Sequence, residues 1–276
     1  MTASPDWSGS SGDIWAARWR DTDRALAAVG VELDAAIAEA APRSPFSALD
    51  VGCGPGTTSL SLAAARPDAA IVGCDISPAL IAIAQQRADR FPRLRFVAED
   101  AETAARERGP FDLIFSRHGV MFFDDPHRAF GNLRSGASPG GGLVFSCFQA
   151  WELNPWAAEL ASAAAGKRVP PPRREPSGFA FADADYVGDI LHRASWDAAE
   201  PKAVQFDYVA GDGAAPVEQA LAFLAEIGPA ARLIEQMDGN QRDSALDRMR
   251  EVIARHERGG QVTFAAAAWI WLAVAR

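Results

Sequence analysis

The sequence predicts an α/β fold in which a mostly parallel sheet carries helices on both faces. From residue 46 to 148, short apolar segments alternate with segments of helical periodicity, which is typical of repeated strand–helix units. The chain has 276 residues, of which 49% are hydrophobic, enough for one elaborated domain with a sizeable core.

The elements are predicted in chain order from periodicity and from the helix-ending residues Pro42 and Pro45. One or two helices are expected over residues 14–40. Strands are expected at 46–51, 70–74, 94–98, 111–115 and 142–148, with helices at 57–65, 78–90 and 126–133 and a polar loop after 98. A strand at 203–209, a long helical region at 216–256 and a buried C-terminal strand complete the chain.

Composition excludes several classes of partner. The net charge of −9 argues against nucleic-acid binding, because such proteins concentrate basic charge. The three cysteines are widely spaced without a CxxC pair, which disfavours a disulfide framework and a metal site and fits a reducing, cytoplasmic location. No signal-like or membrane-spanning segment is apparent in the sequence.

The stretch "LDVGCGPGTTSLSLA" places three glycines, Gly52, Gly54 and Gly56, between a predicted strand and a predicted helix. Bare backbone amides beside a helix N-terminus suit a nucleotide-like ligand. The spacing differs from the G-x-G-x-x-G of pyrophosphate binders, so a nucleoside without phosphates is favoured. The alternative is that the glycines serve chain geometry alone.

Two acidic residues follow the next two predicted strands. Asp75, about 20 residues beyond the glycines, is placed to bind ribose hydroxyls. Asp100 suits an exocyclic adenine amine, while Ala101 offers a backbone donor. A helix-terminal role for Asp75 and a plain loop role for Asp100 remain the alternatives.

Together with "VGCDISP", "FVAEDAE" and "FDLIFSRHGVMFF", this stretch resembles the motifs of class I S-adenosylmethionine-dependent methyltransferases. The chain is also similar to a bacterial subfamily with an N-terminal W-x-G-x-x-G-x-x-W pattern, "NPW" at 154–156, "FAFAD" at 179–183, "IGPAAR" at 227–232 and a C-terminal "AAAWIWLAVAR". The resemblance implies a Rossmann-like, seven-stranded sheet with an antiparallel last strand. It also implies S-adenosylmethionine as cofactor and S-adenosylhomocysteine as product.

The resemblance assigns the glycines to the methionine side of the cofactor, Asp75 to the ribose, Asp100 to the adenine and Ser116 to backbone near the methionine amine. The cofactor-binding set expected from these motifs is Gly52, Cys53, Gly54, Gly56, Asp75, Ile76, Asp100, Ala101, Ser116 and Trp15. His118 stands where the subfamily resemblance leads us to expect Phe. It is the candidate catalytic base, with a polar residue of the pocket wall as the alternative.

The regions expected are an N-terminal helical lid segment (1–41), a cofactor-binding core (42–149), an insertion covering the substrate (150–200) and a C-terminal completion of the sheet (201–276). Trp15 and Trp19 either form a core-facing helical pair or close over the cofactor. The aromatic residues Trp151, Trp156, Phe179 and Phe181 suggest either a pocket wall or packing.

The expected function is methyl transfer to a small-molecule acceptor by in-line displacement that depends on positioning, and an apolar or aromatic acceptor is favoured. A nicotinamide-dependent oxidoreductase is disfavoured by the glycine spacing and by the lack of a Tyr-x-x-x-Lys pair. A non-catalytic S-adenosylmethionine-binding regulator is the other alternative. The sequence does not define the acceptor or the oligomeric state.

Overall fold

A computed structural model describes residues 6–172 and 175–276. Its strands are β1 (Ser47–Val51), β2 (Ala70–Asp75), β3 (Leu94–Ala98), β4 (Phe111–Arg117), β5 (Ala137–Phe148), β6 (Trp196–Ala198), β7 (Lys202–Asp212), β8 (Glu257–Arg258) and β9 (Gln261–Ala275). Its helices are α1 (Ser10–Ala17), α2 (Trp19–Ala25), α3 (Ala27–Ala40), α4 (Thr57–Ala65), α5 (Pro78–Arg87), α6 (Ala101–Arg108), α7 (Pro126–Ser135), α8 (Pro155–Ala165), α9 (Ala184–Arg193), α10 (Pro216–Leu224), α11 (Pro229–Ile234) and α12 (Gly239–Arg255).

The strands form one mixed sheet in the order β3-β2-β1-β4-β5-β9-β6. The first five strands are parallel to their neighbours, and β9 runs antiparallel to β5. The parallel core and the antiparallel last strand therefore follow the expectation. The sheet has nine strands, however, and the expected number of seven is wrong.

The pairing of β9 explains the two additional strands. Residues 273 and 274 pair with β5 and with β6, while residues 268–270 pair with β5 and with β7, so β6 and β7 share the edge of β9 opposite β5. Pro201, which lacks a backbone N–H, stands between them and interrupts what is otherwise one line of pairing. The two-residue β8 pairs with β9 across a tight turn at Gly259 and Gly260, both with positive φ.

The helical predictions require three corrections. Residues 101–108 form α6 where a polar loop was expected; its buried face consists only of alanines, so its apolar signal is weak. The N-terminal segment contains three helices instead of one or two. The region 216–256 is divided into three helices, since Gly228 has a φ of +102° before Pro229 and Asp238 caps α12 by accepting from the Gln241 amide at 2.9 Å.

None of the helices in the described part of the chain has both the length and the apolar character needed to cross a bilayer.

The region after β5 is attached to the sheet through the fully buried side chain of Asn154. Its Nδ2 donates to the carbonyls of Ala150 at 3.1 Å and Ala267 at 3.2 Å, and its Oδ1 accepts from the Ala267 amide at 3.1 Å. The Trp156 indole also donates to this Oδ1, at 3.3 Å. One amide side chain thereby satisfies backbone groups of β9 and of the segment that leads into α8. Residues 173 and 174, inside the predicted insertion, lie outside the described residues, as do residues 1–5 of the predicted lid.

We expect Asn154→Ala to lower the free energy of unfolding by about 2–4 kcal/mol, because it leaves several buried polar groups without partners. Urea denaturation followed by circular dichroism measures this loss. The exposed Asn240, on α12, supplies the control, since Asn240→Ala should change stability by no more than about 0.5 kcal/mol. Equal effects of the two substitutions would contradict the role of Asn154 in holding the region after β5 against β9.

Candidate functional site at the carboxyl ends of the strands

The predicted site residues other than Trp15 lie at or just after the carboxyl ends of four adjacent parallel strands. The register aligns these ends, because Asp50 of β1 lies opposite Gly73 of β2 and Phe115 of β4, and Gly73 lies opposite Phe96 of β3. Loops that leave neighbouring strands at the same level meet above the sheet, which is where open α/β sheets bind ligands.

The glycine loop (residues 52–56) connects β1 to α4 with three left-handed glycines. Their φ values are +62° at Gly52, +53° at Gly54 and +82° at Gly56. A Cβ on Gly52 would lie 3.1 Å from the Gly119 Cα, and one on Gly56 would lie 2.4 Å from the Phe96 ring. Those two glycines are therefore required by packing. A Cβ on Gly54 meets nothing within 4 Å, so its bare backbone faces open space.

Asp75, the last residue of β2, holds the glycine loop in place. One carboxylate oxygen accepts from the Gly54 amide and the other from the Ser77 amide, both at 2.9 Å. The N-cap of α5 is Ser77, whose Oγ accepts from the Leu80 amide at 3.3 Å, and not Asp75. Burial raises the pKa of Asp75, and the two backbone amides oppose that rise. Each oxygen retains a lone pair for a ligand hydroxyl.

Asp100 and its neighbours form the end of the site beyond β3. Asp100 is exposed and caps α6, with Oδ1 accepting from the Glu102 amide at 2.9 Å and the Thr103 amide at 3.2 Å. Its Oδ2 takes no part in those two hydrogen bonds. Ala101 is the first residue of α6, and Ile76, beside Asp75, is 42% exposed although its side chain is large and apolar.

Ser116 joins the end of β4 to the end of β1. Its buried hydroxyl donates to the Val51 carbonyl at 2.7 Å and accepts from the Gly119 amide at 3.1 Å. This pair of bonds fixes the loop after β4 against the glycine loop, where Gly119 faces Gly52.

His118 is buried and has a left-handed backbone with a φ of +60°. Its Nδ1 lies 2.8 Å from the Ser146 Oγ, and its ring packs on Phe148 with 4.4 Å between centroids. Burial, and secondarily the charge of Arg117, lower the pKa of His118 from 6.5 to about 3. The imidazole is therefore neutral at physiological pH.

Trp15 lies in α1, which crosses above the strand ends. A Cβ on Gly12 would lie 2.6 Å from the Ser77 Oγ, so α1 lies directly against the loop after β2. The ring of Trp15 packs on Trp7 at 5.4 Å, and Trp7 packs on Phe122, after β4, at 4.8 Å. Trp15 therefore belongs to an aromatic contact that extends from the N-terminal segment to the far side of the site.

Sequence reasoning missed an ionic network that ties α2 to the glycine loop. Asp23 of α2 accepts from Arg117 at the end of β4 and from the Thr57 hydroxyl, and lies 3.5 Å from Arg87. Arg87 in turn donates to the Pro55 carbonyl at 2.7 Å. Thr57 and Arg117 lie 34 and 94 positions from Asp23 along the chain, so no local sequence pattern reveals the network.

Sequence reasoning also missed Asp50, which is buried below the glycine loop. Its Oδ2 accepts from the Ser59 hydroxyl at 2.7 Å, and only 1% of the residue is exposed. Burial raises the pKa of Asp50 to about 7, although Ser59 and Arg117 oppose the rise. Cys53, predicted to bind cofactor, is 7% exposed, and burial raises the pKa of its thiol, which makes it a poor nucleophile.

The strand-end site lies within the part of the chain that known proteins share. Residues 48–141 match the methyltransferase domain family. The matched segment is about a third of the chain and contains the glycine loop, Asp75, Asp100, Ser116 and His118. It ends inside β5, before the aromatic residues of the region that follows.

Curated relatives match over a similar length. Over 106 residues, the chain is 36% identical to malonyl-[acyl-carrier protein] O-methyltransferase 1 of Ilyobacter polytropus. This alignment covers 38% of this chain and 39% of that protein. Over 101 residues, it is 39% identical to trans-aconitate 2-methyltransferase of Methylobacterium radiotolerans, covering 37% of each. The chain thus spans about two fifths of the length of the curated relatives it matches.

A solved structure shares the fold over a longer stretch. Phosphoethanolamine N-methyltransferase 2 of Haemonchus contortus, in complex with S-adenosyl-L-methionine, superposes with a TM-score of 0.55 at 14% identity. The superposition covers 100% of this chain and 60% of that chain. The chain therefore has the Rossmann-like fold of such enzymes, independently of close sequence similarity.

We expect the stability of the protein to fall as pH rises from about 4 to about 7 through the titration of Asp50. The pKa of Asp50 is about 7 in the folded protein, against 3.8 for an aspartate side chain in water, so the folded state holds the proton more tightly between these pH values. The contribution is complete below about pH 4 and is lost as pH rises through 7, by up to about 4 kcal/mol.

Asp50→Asn should remove this pH-dependent component, so its stability relative to the wild type should increase from pH 5 to pH 8. Urea denaturation at both pH values measures the difference. The exposed Asp243 provides the control, since Asp243→Asn should keep the wild-type pH dependence. If the difference in stability between Asp50→Asn and the wild type does not change with pH, the raised pKa of the buried Asp50 carboxyl is refuted.

Proposed function

We propose that the chain is an S-adenosylmethionine-dependent methyltransferase that acts on a small-molecule acceptor. One observation carries the proposal: the segment that matches the methyltransferase domain family contains the loops at the carboxyl ends of β1, β2, β3 and β4. The solved structure that superposes on the entire chain was crystallised with this cofactor. The names of the relatives, which differ in their acceptors, support a small molecule as the acceptor class.

The residues present fit the cofactor. Gly54 offers a bare backbone at a point where protein packing does not require glycine, which is the form a ligand cradle takes. Asp75 lies next to it and keeps acceptor capacity for the two hydroxyls of a ribose. The glycine spacing leaves no N–H array of the pyrophosphate-binding type, which favours a nucleoside joined to an amino acid over a dinucleotide.

The proposed binding set runs from the adenine to the methionine end. Asp100, the N–H of Ala101 and the exposed side chain of Ile76 hold the adenine end. The methionine end is held by the glycine loop, including Cys53, and by the segment fixed through Ser116. S-adenosylmethionine supplies a methyl group on a sulfonium, which is a reactive electrophile on its own.

Catalysis then depends on what the protein positions and excludes. In-line displacement needs the acceptor atom about 3 Å from the methyl group and a site without competing water. A general base is not obligatory. A pKa of about 3 makes His118 too weak a base to match a neutral operating pH, so its side chain suits a positioning role better.

The N-terminal segment is proposed as the lid. Helix α1 touches the loop after β2 through Gly12, and Trp7 touches Phe122 after β4, so the segment bridges the two sides of the site. Asp23 binds groups at the end of β4 and the start of α4. A cover with contacts on both sides of a ligand slows ligand escape more than ligand entry.

We expect S-adenosylhomocysteine to bind and NAD not to bind, because the loop lacks a pyrophosphate site. Isothermal titration calorimetry tests both ligands. Gly54→Ala should weaken the binding of S-adenosylhomocysteine by at least about tenfold, since the methyl group of the alanine occupies the space that the glycine leaves open.

Gly140→Ala is the matched control for this substitution. Gly140 also has a positive φ, +74°, and a Cβ built on it would also meet nothing within 4 Å, but it lies near the amino end of β5, at the opposite end of the strand from the site. The affinity of the Gly140→Ala protein for S-adenosylhomocysteine should equal that of the wild type. Binding of NAD without S-adenosylhomocysteine overturns the proposed function, and equal effects of the two alanines remove Gly54 from the site.

We expect deletion of residues 1–17, which include α1, to leave a cooperatively folded sheet and to raise the dissociation rate of S-adenosylhomocysteine by about tenfold. Stopped-flow competition measures this rate. Trp15→Phe keeps an aromatic ring on Trp7 and should stay near the wild-type rate. An unchanged rate in the truncated protein contradicts the lid.

A further inference from the structure

His118 has two features that folding alone does not explain. It is one of two non-glycine residues with positive φ in the described part of the chain, and such a backbone is unfavourable for a side chain with a Cβ. Its Nε2 is also buried without a hydrogen-bond partner among the described residues. Both features cost free energy, and such costs persist most often where a residue serves a ligand.

The second buried atom of this kind within 6–172 and 175–276 is Nε1 of Trp271, and it has a different setting. Burial raises the pKa of the Cys147 thiol, and a side-chain interaction with the Trp271 indole partly opposes that rise, so a weak acceptor lies next to the indole within the core. His118 instead follows β4, one residue before Gly119, which touches the glycine loop.

The contacts of Nδ1 decide which nitrogen carries the proton. The Ser146 hydroxyl is fully buried, and Nδ1 of His118 is its one hydrogen-bond partner among the described residues. A buried hydroxyl hydrogen needs an acceptor, so Ser146 donates to Nδ1 and the imidazole proton resides on Nε2. The low pKa of His118 keeps this neutral form through the physiological range.

An aromatic wall, formed by Phe148, Trp151, Trp156 and Phe179, packs against the ring of His118 through Phe148. The His118 ring lies on Phe148 at 4.4 Å, and Phe148 lies on Trp156 at 5.1 Å and on Phe179 at 5.6 Å. Trp151 packs against Phe179 at 5.0 Å. All four residues of the aromatic wall are buried, and His118 lies between this packed cluster and Gly119, which touches the glycine loop.

We propose that the Nε2–H of His118 donates a hydrogen bond to an oxygen of the methyl acceptor, and that the acceptor is an uncharged, flat aromatic molecule with a hydroxyl or carbonyl group. This inference rests on the proposed function and defines its substrate class. A neutral donor orients the acceptor without placing a second positive charge beside a sulfonium. With its proton on Nε2, His118 is a positioning donor and not a base.

The first test reads the tautomer directly. Nitrogen-15 NMR of histidine-labelled full-length protein with S-adenosylhomocysteine, at pH 7.5, should show one neutral imidazole protonated at Nε2 that disappears in His118→Phe. A His118 protonated at Nδ1, or on both nitrogens, overturns the proposal.

The second test reads the acceptor. With S-adenosylhomocysteine bound, a panel of hydroxylated one- to three-ring aromatics, each paired with its oxygen-free parent, is titrated by calorimetry. The wild type should bind the oxygen-bearing member of at least one pair about tenfold more tightly, since a ligand without the oxygen leaves the buried Nε2–H unpaired. The preference should vanish in His118→Phe.

Two further variants separate the role of Nε2 from strain and from Ser146. His118→Asn tolerates the left-handed backbone and keeps a polar atom near Nδ1 but none near Nε2, so it should lose the preference. His118→Gln places an amide near Nε2 and should keep part of it. No oxygen preference in the wild type, or the same preference in His118→Phe, overturns the inference. Failure of S-adenosylhomocysteine to bind the wild type instead overturns the proposed function.

Discussion

The site depends on a contact between two backbones without side chains. Gly52, at the end of β1, lies so close to Gly119 that a Cβ on Gly52 would come within 3.1 Å of the Gly119 Cα. Ser116 maintains the approach by bonding to the Val51 carbonyl and the Gly119 amide. Because this contact brings the loops after β1 and β4 together, it also places His118 beside the glycine loop. A larger residue at either glycine separates the two halves of the site.

Charge compensation around Arg117 extends this constraint to the N-terminal helices. The guanidinium of Arg117 binds Asp23, opposes the raised pKa of Asp50 and contributes to the lowered pKa of His118. Partly buried charges need partners at short range, so the position of α2 is coupled to the ends of β1 and β4. The proposed lid is therefore connected electrostatically to the loop that it covers.

The boundary of the family match separates two kinds of information. Residues 48–141 contain the proposed cofactor site, whereas the aromatic wall begins with Phe148 at the end of β5 and continues into the following region, which Asn154 fastens to β9. Relatives that share the first part act, by their names, on different molecules. Under the proposed function, the acceptor class depends on the second part and on the single position His118, where the chain departs from the residue expected by resemblance.

Local signals in the sequence determined the succession of strands and helices along the parallel part of the chain, the glycine loop and the acids at successive strand ends, because alternation and turn chemistry act over a few residues. Only the tertiary structure decided the order of the strands across the sheet, that β6 and β7 divide one edge of β9, and that Asp23 meets Arg117. These outcomes depend on groups far apart in the chain. The neutral, buried state of His118 is of the same kind, since Ser146, 28 residues away, and the surrounding burial impose it.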